Sequence, residues 1–114
     1  MTEQEQRIAI AEACGWLEVK EIDFGGPIKP MGYRDKQALG LEVIPDYLND
    51  LNAMHEAEAH INIGEMGTYL SAIANIVQPQ STYHPLDIQW WSVRATARQR
   101  AEAFLRTVGK WRGE

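Results

Sequence analysis

A single cysteine, Cys14, stands in 114 residues, so no disulfide can form within the chain and a cross-linked scaffold is excluded. No apolar run approaches the roughly 20 residues that a bilayer-spanning helix needs. The first residues, Met1 to Arg7, are acidic and polar where a secretory signal would place basic and then apolar ones. The expectation is a cytoplasmic protein without membrane contact. Low-complexity tracts and internal repeats are missing too, which excludes a solenoid or a disordered tail. What is present is ordinary globular usage, 45% apolar and 24% charged, enough for one core and one domain over residues 1–114.

Chemical motifs are equally sparse. His55 and His60 bracket an acidic stretch, but a zinc helix needs its histidines four apart, and a spacing of five turns the rings about 140° away from each other. Gly25-Gly26-Pro27 lacks the further glycine, the Lys-Ser/Thr pair and the helix start that a phosphate loop requires. Asp46, Asn49, Asp50 and Asn52 would lie along a helix rather than wrap a calcium loop. No cofactor or metal is expected. A carboxylate pair at Asp46 and Asp50 could do acid/base work, and it defines the enzyme alternative, although no nucleophile accompanies it. Cys14, with no His or Lys beside it in sequence, reads as a small hydrophobe within a helical pattern.

The periodicities predict an α+β fold, mostly helical, with about four helices on a small antiparallel sheet. Thr2-Glu3-Gln4-Glu5 has the capping-box form and Gly15 the terminator position, which predicts a helix over Glu3 to Cys14. Trp16 to Ile22 alternates as a strand. A second strand is expected over Leu39 to Ile44, paired with the first across a long loop holding Pro30, Gly32 and Arg34. Apolar positions from Tyr47 to Ala57 predict a helix capped by Asp46, and those from Met66 to Val77 a helix over Glu65 to Val77. Ile88 to Val93 reads as a short strand. Thr96-Ala97-Arg98-Gln99 repeats the capping box, and Ala97, Ala101, Phe104, Leu105 and Val108 form one buried face before Gly109.

The net charge of −5 is uneven: from Arg94 onward six cations face two carboxylates, leaving +4 there and −9 on residues 1–93. This basic end marks the candidate site. Adjacent aromatics in a strand face opposite sides, so one of Trp90 and Trp91 can enter the core while the other meets a partner beside Arg94. The first turn of the following helix offers backbone N–H groups, with Thr96, Arg98 and Arg100 around it, to a small nucleotide-like anion. Nucleic acid is the weaker alternative, because an acidic body repels a polyanion.

Two stretches, Pro45 to Glu58 (PDYLNDLNAMHEAE) and Ala95 to Trp111 (ATARQRAEAFLRTVGKW), with a weaker match at Cys14-Gly15-Trp16, resemble small bacteriophage and prophage proteins of the phage ABA sandwich domain family. The resemblance implies helices covering a small antiparallel sheet and carries no catalytic residues. It also implies a phage-encoded accessory protein in the host bacterial cytoplasm that sequesters or blocks a host or defence protein, or a nucleotide-like anion. A chain this small often forms its ligand site between copies, so a homo-oligomer belongs to the expectation.

Overall fold

The computed structural model describes residues 1–23, 25–77 and 95–112. Within them the fold is α+β: four helices and a three-stranded antiparallel sheet. Helix α1, Glu3–Ala13, begins on the predicted capping box. Thr2 Oγ1 accepts from the Glu5 amide at 3.1 Å, and Glu5 Oε1 accepts from the Thr2 amide at 3.0 Å. The same hydrogen bonds hold the Glu5 carboxyl below its ordinary range. Gly15, at φ +95°, lets the chain turn back. The Gly15 and Trp16 amides then donate to the carbonyls of Glu12 and Ala11, closing a Schellman cap.

The last helix, α4 (Ala97–Thr107), is assembled in the same way. Thr96 and Gln99 form its capping box. Gly109 at φ +78° allows the Lys110 amide to reach the Leu105 carbonyl at 2.8 Å. Its apolar face enters the core, where Ala101, Phe104 and Leu105 are almost fully enclosed. Between these elements lie α2, Leu51–Glu58, and α3, Met66–Val77, the latter preceded by a 3-10 turn at Ile63–Glu65. Helix α4 touches all three other helices. Ile10, Met54, Tyr69, Ile73 and Phe104 belong to one core cluster.

The sheet departs from expectation at its centre. Strand β1, Leu17–Ile22, pairs with β2, Lys29–Tyr33, and β2 pairs with the two-residue β3, Glu42–Val43. The two strands read from sequence are thus not neighbours. The stretch with Pro30 and Gly32, expected as loop, lies between them. Pro30 is tolerated because its carbonyl accepts from the Ile44 amide at 3.1 Å. Its missing N–H faces the Ile44 carbonyl, which accepts from Arg7 Nη2 at 2.7 Å instead. Gly32 is required by close approach: a Cβ there would stand 2.9 Å from Val19 Cγ2 and 3.0 Å from the Leu17 carbonyl oxygen.

A second correction concerns α2. Asp46 was expected as its cap, but Asp50 holds that position, accepting from the Asn52 and Ala53 amides at 3.0 and 3.3 Å. Asp46 instead organises the preceding turn. Its carbonyl takes the Asp50 amide at 2.8 Å, and its carboxylate takes the Asn49 side-chain amide at 3.0 Å. The strand expected over Ile88 to Val93 lies outside the described residues. No helix among the described residues is long and apolar enough to cross a membrane.

Candidate functional site

The described part of the basic carboxyl end is tied into the fold. Thr96 is occupied as the α4 cap, its hydroxyl accepting from the Gln99 amide at 3.2 Å. Arg98 reaches across to α1, where one guanidinium nitrogen meets Glu3 Oε1, while the other donates to Asn49 Oδ1 at 3.0 Å. Arg106 pairs with Glu102 at 2.8 Å and lies over the Trp111 ring, 5.3 Å from its centroid. Trp90, Trp91 and Arg94 lie outside the described residues.

Arg100 is 8% exposed and sits at a polar junction between helices. Its guanidinium donates to Glu58 Oε2 at 3.0 Å and to the Ala95 carbonyl at 3.2 Å. Tyr69 Oη donates to that same Glu58 oxygen, and His55 Nδ1 lies 2.6 Å from the other. Glu58 thereby joins α2, α3 and α4 through one carboxylate. Burial, and then the hydrogen bond to Glu58, push the Tyr69 phenol far above its ordinary range, keeping it a donor. A buried ion is tolerable only when its partners satisfy it, and this arrangement supplies them. The position of Arg100 on the buried side of α4 had no sequence signal beyond its spacing from Phe104.

Away from α4, a cavity of about 300 Å³ opens where the end of α1, the end of β2 and α2 converge. Its aromatic wall is Trp16 and Tyr47, both buried. Arg34 lies over the Trp16 ring at 5.3 Å from its centroid and is 3.4 Å from Glu42 Oε2. Asp35, Glu56 and His60 complete the polar rim, with Cys14 behind them. Asp35 is positioned by a turn in which its carboxylate accepts from the Gln37 amide at 2.9 Å. Desolvation raises the Tyr47 phenol well above its usual value and pushes the Cys14 thiol up to about 11. Both therefore stay protonated at neutral pH, and Cys14 is a poor nucleophile.

The rim carries both signs of charge, and its Trp16, Tyr47 and Arg34 are of the residue types enriched at protein interfaces. Sequence patterning missed it, because its residues are scattered from Cys14 to His60 and only the fold assembles them. Glu56 and His60, four residues apart, both line it. Among the described residues no group of His, Cys, Asp and Glu is arranged to hold a metal ion. No family model, curated protein or solved structure matches the chain.

Proposed function

We propose that this chain is a non-catalytic binding module that acts by occupying a protein partner, with the Trp16–Arg34–Tyr47 cavity as the anchor for one of the partner's side chains. The supporting observation is the mixed-sign rim. Arg34, paired with Glu42 at 3.4 Å, lines a space of about 300 Å³ together with Asp35 and Glu56, and such a rim suits a polar side chain better than a polyanion. The resemblance of its Pro45–Glu58 and Ala95–Trp111 stretches to small phage proteins supports reading the module as one that blocks a host or defence component in an infected bacterium's cytoplasm. A protein is favoured over a nucleotide-like anion because the two described arginines proposed for the anion already face carboxylates, Arg98 at Glu3 and Arg100 at Glu58. The same pairings weigh against nucleic acid.

Tagged protein incubated with bacterial lysate should retain one protein at near-equal stoichiometry, and the exposed substitution Arg34→Glu should release it. A panel of linear and cyclic nucleotides should leave the melting temperature unchanged. A nucleotide that stabilises the protein, together with empty lysate capture, contradicts the reading.

A further inference from the structure

The strand register places side chains on two sides of the sheet with different fates. On one side Val19 packs against the core, Pro30 is fully enclosed, and Ile44 is 1% exposed. On the other, the paired rows are Leu17 with Tyr33, Lys20 with Met31 and Val43, and Ile22 with Lys29. Residues directly opposite in an antiparallel pair share a side, so these seven form one surface. None of them belongs to the core cluster or packs against it. Leu17 is 39% and Val43 47% exposed, and Ile28 and Leu41 in the adjoining turns are exposed as well. Antiparallel sheets usually turn a polar side to water, and this sheet turns an apolar one.

The charge of that surface is also unlike the rest of the chain. The protein carries 16 carboxylates against 11 cations. Yet the paired positions on the outer side hold Lys20 and Lys29 and no acidic residue, while Glu21 and Glu42 fall on the opposite side. A recess of about 230 Å³ lined by Leu17, Glu18, Tyr33, Asp35 and Lys36 adjoins this surface, and Asp35 also lines the cavity described above. The outer surface and the anchor cavity are therefore contiguous.

We propose that the outer side of this sheet docks an apolar protein segment flanked by acidic residues. The apolar rows take its hydrophobic side chains, and Lys20 and Lys29 meet its carboxylates. Complementary charge of this kind sets partner choice and encounter rate more than total affinity. The proposal rests on the protein-binding reading and adds the surface and the partner's chemistry.

Two designed amphipathic peptides with the same leucine stripe, one flanked by glutamates and one by lysines, test it by amide NMR titration of the full chain. The glutamate peptide should shift β1 to β3 resonances and bind about tenfold tighter than its lysine twin. The Lys20→Glu/Lys29→Glu double variant should reverse that order. Equal binding of the two peptides, shifts confined elsewhere, or stronger binding to anionic lipid vesicles overturns the proposal. So does a dimer in sedimentation that Val43→Glu dissociates, because the surface then belongs to a second copy. If a lysate partner that depends on Arg34 survives the double lysine variant, this surface is wrong while the protein-binding reading stands.

Discussion

The helical half and the sheet half of this molecule treat their apolar residues differently. In the helical half, Ile10, Ile73, Phe104 and Leu105 are 0 to 1% exposed, and even the buried charge of Arg100 is paired, with the partly buried Glu58. In the sheet half, Pro30 is the only strand residue among the largest fully buried side chains of the described residues, and Leu17 and Val43 stand open. Helix α1 is the helix that contacts both β1 and β2. One half is thus packed to hold the fold, and the other is anchored along one side only. Function is better sought where residues are not already committed to folding.

Variants placed in each half sharpen or break that contrast. The largest effect should come from Phe104→Ala, where an enclosed ring leaves a cavity and costs about 3 to 5 kcal/mol in urea melts. Next is Glu58→Gln, expected to lose about 3 kcal/mol because Arg100 keeps its buried charge without a counter-charge. The double variant Glu58→Gln/Arg100→Met should recover much of that loss, and simple additivity in the cycle would show that the two are independent.

In the sheet half, Gly32→Ala forces Val19 and the Leu17 backbone to move and should cost about 2 kcal/mol. Far-ultraviolet dichroism should keep the helical signal at low urea, whereas joint loss of helix and sheet would mean that the halves fold as one tightly coupled unit. Thr96→Ala removes one cap and should cost about 1 kcal/mol. The smallest effect concerns pH. The half-buried Cys14 thiol titrates at about 11 when folded against an ordinary 9.0. The native state therefore keeps this proton longer than the unfolded chain, and the stability it confers is full below 9.0 and lost as pH rises towards 11. Urea midpoints across that window should fall less steeply in Cys14→Ala, and parallel slopes would remove Cys14 as a contributor.

Legibility from sequence followed the same division. Both T-x-x-E/Q boxes and both terminal glycines of α1 and α4 were readable because capping is local chemistry, set by residues three apart. The central strand was not readable. Pro30 and Gly32 look like breakers until Arg7 satisfies the Ile44 carbonyl that faces the missing N–H and a crowded neighbour excludes a Cβ. Asp46 was read as the cap because it precedes the apolar stripe from Tyr47, but its turn hydrogen bonds delay the helix until Asp50 caps it. For the site, Arg98 and Arg100 were identified by type, but their partners Glu3 and Glu58 lie 95 and 42 residues away, beyond the reach of spacing rules. The cavity at Trp16, Arg34 and Tyr47 depends on three separate segments meeting, which no local pattern encodes.

The contrast between the halves is tested most directly by solvent paramagnetic relaxation of methyl groups in the free protein, using a neutral soluble relaxation agent. Leu17, Met31 and Val43 should relax strongly, while Ile10, Ile73 and Leu105 remain protected. Sheet methyls as shielded as those of the core would contradict an open outer surface, and with it the division between a folded-in half and a binding half.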